Sequence, residues 1–298
     1  MFQGLVFDSA TTSAMLVLYF VLGAASVTVM WRGRASPPGM LRLQVNAWWY
    51  IFPVFSVAWA LYPWGPSVLV VLIAALAWRE LALHHPTAPR RFQWACAVLL
   101  ALQLAVMGAE LPGAIALMPA LMLVQFIWFW HQPSPARLLC LLFLLLCAGL
   151  GFVLQLEQLP LDMAQRRAWF FYLFTVTALN DVAQFICGKC LGHHKIAKTL
   201  SPNKTWAGLL GGVVVSALVS LALGSHLQLA SGPFLLALGA ALSLAGFFGD
   251  LMFSAAKRAL GLKDFSNLIP GHGGILDRAD SLVLTAPVLY AVLHLTLH

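Results

Sequence analysis

The sequence predicts an all-α protein. It reads as a polytopic transmembrane helix bundle of about ten spans, eight at the least, with both termini outside the cytoplasm. Three observations lead there. Of the 298 residues, 61% are hydrophobic and only 9% are charged, against roughly a quarter charged in an average soluble domain. Mean hydropathy is +0.87. Apolar stretches of spanning length recur along the whole chain, broken by short loops that carry polar residues, Pro or Gly. Together these exclude a disordered chain and a water-soluble globule, which needs far more polar surface.

The expected spans are 10–31, 45–62, 66–78, 92–108, 112–130, 138–156, 168–187, 206–224, 233–253 and 282–297. The first is read as a retained helix rather than a cleaved signal, because residues 1–9 carry Asp8 and no Lys or Arg. The second and third are short and separated only by Pro63-Trp64-Gly65-Pro66, so two tight spans and one broken hairpin both fit. The five cysteines suggest no disulfide framework; Cys96, Cys140 and Cys147 sit inside apolar segments.

Basic residues set the orientation. Fifteen of the 17 Lys and Arg fall in odd-numbered loops, from Arg32 in the first to Arg278 in the ninth; only Arg166 and Arg167 fall elsewhere. The positive-inside rule puts those odd loops in the cytoplasm. The net charge of +7 then suits anionic lipid or phosphate substrates, and the membrane composition argues against nucleic acid.

The chain divides by chemistry. Residues 1–167 carry few internal polar groups and read as scaffold helices. Residues 168–298 read as a catalytic half with cytoplasmic loops 188–205 and 254–281. Loop 254–281 is the most informative segment. It holds Lys257, Arg258, Lys263 and Arg278, the carboxylates Asp264, Asp277 and Asp280, and the turn Pro270-Gly271-His272-Gly273-Gly274. Glycines let a backbone present bare N–H groups to an oxyanion. Lys and Arg add charge-assisted bonds to phosphate oxygens. Carboxylates cannot hold phosphate, but they hold Mg²⁺, which bridges to it. That mixture is what phosphoryl or nucleotidyl transfer requires.

Asp250 is read as ending the ninth span, and Asp181 as lying near the end of the seventh, both on the side of that loop. Carboxylates within spans are costly and point to function. In loop 188–205, Ser201 and Thr205 are both candidate caps for the next helix, with Pro202 in its first turn and Lys204 near its phosphate-favouring N-terminus. Cys187 and Cys190 with His193 and His194 make a weak zinc pattern. His84 and the other span-end histidines read as interfacial.

Loop 254–281 resembles the signature of the phosphatidate cytidylyltransferases, also called CDP-diacylglycerol synthases. Ser254, Lys257, Arg258, Lys263, Asp264, Pro270 to Gly274, Asp277, Arg278 and Asp280 supply every element of that pattern. Gly249-Asp250-Leu251, Asn180-Asp181 and Ser201-Pro202-Asn203-Lys204-Thr205 are similar to the family as well, so the likeness covers about 175–281. Two positions depart from it: Asn203, where Lys is frequent, and Ala207, where Glu is frequent. The departure at Ala207 bears on how metal or substrate is positioned.

The resemblance implies synthesis of CDP-diacylglycerol and pyrophosphate from CTP and phosphatidic acid. It implies Mg²⁺ on Asp250 and Asp277, a second cation being left open. Lys257, Arg258, Lys263, Asp264, His272, Arg278 and Asp280 would be catalytic. Asp181, Ser201, Lys204, Thr205, Gly271, Gly273 and Gly274 would bind substrate. Asp250→Asn and Asp277→Asn are each expected to lower the rate at least about a hundredfold at little cost to folding. The expected partners are CTP, phosphatidic acid and the lipid bilayer, with a homodimer left open, and the expected location is a bacterial inner membrane. Other readings are a cytidylyltransferase or CTP-dependent kinase for another lipid, a weak paralogue, and, from a different class, an ion-coupled transporter. A transporter predicts inverted repeats and mid-membrane acids; here the acids gather in one half.

Overall fold

The structure is a computed structural model that describes residues 9–32, 40–84, 134–269, 271 and 273–297, with isolated positions between 94 and 127. The expected spans 92–108 and 112–130 lie outside the described residues apart from those isolated positions. The described helices are α1 (Ser9–Arg32), α2 (Met40–Ala60), α3 (Trp64–Leu83), α4 (Ser134–Gln155), α5 (Met163–Leu191), α6 (Trp206–His226), α7 (Gly232–Ala259), a single turn α8 (Leu276–Ala279) and α9 (Leu282–Leu297). The only sheet among the described residues is an antiparallel hairpin of β1 (Lys195–Ala197) and β2 (Ser201–Thr205).

Among the described residues, seven helical segments are long and apolar enough to cross a membrane: Ser9–Trp31, Trp64–Leu83, Pro135–Gln158, Met163–Leu191, Trp206–His226, Gly232–Ala259 and Leu276–Leu297. The chain is an all-α integral membrane protein. Segments 45–62 and 66–78 fall in two helices, α2 and α3.

Several helices outrun their expected spans, because polar residues near a membrane surface do not end a helix. α5 starts where the Asp162 carboxylate accepts from the Gln165 N–H at 2.7 Å and runs on to Leu191. α6 starts at Thr205, whose hydroxyl accepts from the Gly208 N–H at 3.0 Å. Thr205 is therefore the cap. Ser201 and Pro202 lie in strand β2 instead of the cap and the first turn. α7 continues nine residues past Asp250, to Ala259.

Two kinds of contact hold the bundle. Small residues let backbones meet: a Cβ at Gly239 would fall 2.5 Å from Ser220 Cβ and 2.6 Å from the Ser216 carbonyl oxygen, and one at Gly149 would fall 2.5 Å from Val283 Cα. Buried polar groups pair between helices, since hydrocarbon offers no water. Asn180 Oδ1 accepts from Gln184 at 3.0 Å, Ser216 at 3.1 Å and Ser243 at 2.6 Å. This one amide links α5, α6 and α7. The amino-terminal helices are more than lipid-facing filler. Phe55 of α2 packs on Phe170, Phe171 and Phe174 of α5, with centroids 5.1–5.9 Å apart. At the end of the bundle away from the hairpin, Arg167 lies 3.9 Å over the Trp59 ring, and the Tyr62 hydroxyl donates to Glu157.

Glycine at 239 and glycine at 23 should therefore respond with opposite signs. Gly239→Ala forces α6 and α7 apart, an overpacking cost of about 1–3 kcal/mol. Gly23→Ala meets nothing within 4 Å and should stabilise α1 by about 0.5–1 kcal/mol. Thermal unfolding in detergent checks this: Tm should fall for the first variant and not for the second.

Candidate functional site

The site forms where the carboxyl-terminal parts of α5 and α7, the hairpin, the 260–275 loop and the start of α8–α9 come together. On α7, Asp250, Ser254 and Lys257 recur at i, i+4 and i+7 and so share one face. Ser254 donates to Asp250 Oδ1 at 3.1 Å. Lys204, at the end of β2, reaches across to Asp250 Oδ2 at 2.7 Å. Its ammonium also donates to the Phe247 carbonyl at 3.3 Å and sits 4.3 Å over the Phe247 ring. The hairpin thus delivers a cation to α7.

Asp277 is the second centre. It is buried, and Lys257 Nζ stands 2.5 Å from its Oδ1. Its other oxygen accepts from the Phe265 N–H at 3.1 Å and the Gly274 N–H at 2.9 Å. One carboxylate therefore joins α7, the middle of the loop and the glycine turn. Gly273 has φ +79°, and a Cβ there would fall 2.7 Å from Asp277 Oδ2, so the turn needs glycine on both counts. Gly271, at φ +76°, backs onto α2, where a Cβ would lie 2.5 Å from Leu43 Cβ. The Gly274 N–H is committed to Asp277 rather than offered to an oxyanion.

Asp181 accepts the Ser281 hydroxyl at 3.0 Å. Asp280 is buried and accepts the Ser281 N–H at 2.8 Å. Asp181, Asp250 and Asp280 lie within electrostatic reach of one another, with Arg278, Lys204 and Lys257 as the opposing charges. Lys257 interacts with Asp277, Asp280 and Asp250 together.

The remaining expected residues are less central. Arg258 is exposed and donates to the carbonyls of Leu200 at 3.2 Å and Leu262 at 3.1 Å, tying α7 to the hairpin. Lys263 and Asp264 are exposed on the loop, and among the described residues neither forms an ion pair. Ser201 is half-buried at the start of β2. His272 lies outside the described residues.

Sequence reading missed two residues, Glu80 on α3 and His84 at its carboxyl-terminal cap. Glu80 is 3% exposed. Its carboxylate accepts from the Ser266 hydroxyl at 2.6 Å and from the N–H groups of Ile275 at 2.8 Å and Leu276 at 3.0 Å. His84, expected at the interface, has Nε2 2.5 Å from the Phe265 carbonyl oxygen. The available signal was a lone Glu in an apolar helix. Drawing the span to end at residue 78 put Glu80 into a loop.

Every donor group here is a carboxylate, hydroxyl or carbonyl oxygen, a set that suits a hard divalent cation. Asp250 and Asp277 each already bind a lysine ammonium, a stand-in for such charge. Among the described residues no three acidic, His or Cys side chains converge as a metal cage. Mg²⁺ fits such a place, taking one or two carboxylates and completing its shell with water and phosphate oxygens.

The burial difference separates the two aspartates. Asp277→Asn leaves Lys257 buried without its counter-ion, which costs about 3–5 kcal/mol. Asp250 is 37% exposed at its side chain, so Asp250→Asn should cost about 1 kcal/mol or less. The expectation of little folding cost for both is corrected for Asp277. Detergent Tm should drop clearly for Asp277→Asn and barely for Asp250→Asn.

The chain matches the Cytidylyltransferase family over residues 42–296. It is 31% identical to the uncharacterized protein YnbB of Escherichia coli, over 94% of this chain and 95% of that one. It is 34% identical to the phosphatidate cytidylyltransferase of Brucella suis, over 75% and 81% of the two chains. Identity to the phosphatidate cytidylyltransferase of Chlamydia muridarum is 41%, over 43% and 44%. With the match spanning most of the chain, including both ion-paired aspartates and the glycine turn, the protein belongs to the cytidylyltransferase family.

Proposed function

We propose that this protein transfers a cytidylyl group from CTP to phosphatidic acid, making CDP-diacylglycerol and pyrophosphate. The observation that carries this reading is the convergence of the Lys204–Asp250 and Lys257–Asp277 pairs with Asp181, Asp280 and Arg278, in a chain related to phosphatidate cytidylyltransferases. An oxygen of the lipid phosphate attacks the α-phosphorus of CTP. The bond from that phosphorus to the bridging oxygen of the β-phosphate breaks, and pyrophosphate leaves. The nucleophile is already ionised, so no strong general base is needed.

The difficulty is bringing two polyanions together, and positioned cations meet it. Lys204, Lys257 and Arg278 are those cations. Arg258 and Lys263 add positive charge at the exposed rim. Asp250 and Asp277 would hold Mg²⁺, which when bound neutralises the triphosphate and the departing pyrophosphate. Asp181 and Asp280 add further carboxyl oxygens close to that cation.

The site faces the cytoplasm in this reading, where CTP arrives from water and the lipid enters sideways from the leaflet. Both termini are then on the far side, and the membrane is the bacterial inner membrane. Support comes from the basic loops and from bacterial relatives. No homodimer is invoked.

Purified protein incubated with labelled CTP, Mg²⁺ and a panel of phospholipids should form a CDP-lipid with phosphatidic acid. Asp250→Asn should lower the rate at least about a hundredfold. Near wild-type rates at unchanged Mg²⁺ demand in that variant would overturn the metal assignment. Tags at residues 1 and 298 should both react from outside the cytoplasm, and a tag in the 192–194 turn should be protected. Termini found on opposite sides would refute the proposed orientation.

A further inference from the structure

We infer that Glu80 is a positioning residue for the reaction, holding the segment that carries Asp277 and Arg278 against the amino-terminal half of the protein. The inference rests on the proposed transferase reading. Glu80 is an acid in the last turns of an apolar helix, and it is buried. No Lys or Arg bonds to it among the described residues. Its charge is spent on three donors of the loop: the Ser266 hydroxyl and the N–H groups of Ile275 and Leu276. Such bonds from an ionised acceptor are about twice as strong as neutral ones. Burying a carboxylate is costly, and here the compensation comes wholly from the catalytic segment.

The three donors flank the chemistry. Ile275 and Leu276 immediately precede Asp277. Gly274, which donates to Asp277, sits so close that a Cβ there would lie 2.4 Å from Glu80 Oε2. Its φ is not in the left-handed range, so alanine at 274 would be opposed by Glu80 and not by its own backbone. One helical turn on, His84 holds the Phe265 carbonyl, while the Phe265 N–H binds Asp277. The end of α3 thus grips both strands of the turn that presents Asp277.

Glu80→Gln tests this best. It keeps size but converts one acceptor oxygen into a donor, which cannot receive the Leu276 or Ile275 N–H. Hydrogen exchange on the metal-free protein in detergent should show protection of residues 264–277 falling at least about tenfold, with α5 unchanged. In the CDP-lipid assay, kcat should fall at least about tenfold and half-saturating Mg²⁺ should rise. A merely structural loss would lower the active fraction without moving Mg²⁺ demand. Gly274→Ala attacks the same contact from the other side. Its defect and that of Glu80→Ala should combine less than additively.

Unchanged loop protection in Glu80→Gln would overturn the inference. So would lost protection with unaltered kcat and Mg²⁺ demand, or strict additivity of Glu80→Ala and Gly274→Ala. A wild-type protein that forms no CDP-lipid would refute the transferase reading instead, and the exchange measurement would still decide whether Glu80 holds the loop.

Discussion

The structure of the site depends on the Lys257–Asp277 ion pair, a charge pair removed from water. Both side chains are at most one-tenth exposed. In low dielectric such a pair is sustained only if its remaining valences are satisfied. That requirement shapes everything near it. The second oxygen of Asp277 needs donors, and the Phe265 and Gly274 N–H groups supply them. To do so, the loop must fold back over α7, and its glycine turn must take a positive φ at Gly273. The turn is therefore shaped by Asp277 as much as by any ligand it meets.

Lys204–Asp250 is built differently. Asp250 is partly open to solvent, and its lysine comes from the hairpin, whereas the lysine paired with Asp277 comes from α7. The hairpin is pinned by Thr205, which caps α6, and by the Trp206 N–H, which bonds the His194 carbonyl at 3.1 Å. One pair is thus rigid and buried, the other more exposed and carried on a separate element. Between them, Asp181 and Asp280 add two more carboxyl groups, faced by Arg278, Lys204 and Lys257. A site of this kind presents carboxylates to a cation and ammonium and guanidinium groups to a polyanion. In the proposed reaction these opposite demands would meet in a metal-bound triphosphate.

Much of this was legible in the sequence. The apolar spacing predicted the bundle, and the spacing of Ser254, Lys257, Asp277, Arg278 and Asp280 pointed to the site. The errors had one physical origin. In the sequence a span ends where polarity begins, but α5, α7 and α3 run past that point. A helix emerging from the membrane keeps its backbone bonds and continues, as α7 does through Ser254 and Lys257. Asp250 therefore does not end its helix but begins the face that carries Ser254 and Lys257. The hairpin was also invisible. Its strands are three and five residues long and contain Pro202 and two lysines, so no apolar alternation marks them. Partners of Asp277 on the backbone could not be read at all, because an N–H has no letter in the sequence.

The amino-terminal half changes meaning for the same reason. By composition it is scaffold, and residue types alone give it no chemistry. A loop with glycines at 261, 271, 273 and 274 has more backbone freedom to lose than most, at roughly 1–2 kcal/mol per residue fixed. Its own ion pair fixes only the residues around Asp277. Leu43 closes behind Gly271, and Glu80 and His84 hold the flanks at Ser266, Ile275, Leu276 and Phe265. These contacts come from α2 and α3, roughly two hundred positions away in sequence. The signature residues thus specify which groups meet the substrates. The geometry in which they meet is set by helices that contribute no signature, so a carboxyl-terminal half with every motif intact still lacks the wall that its loop folds against.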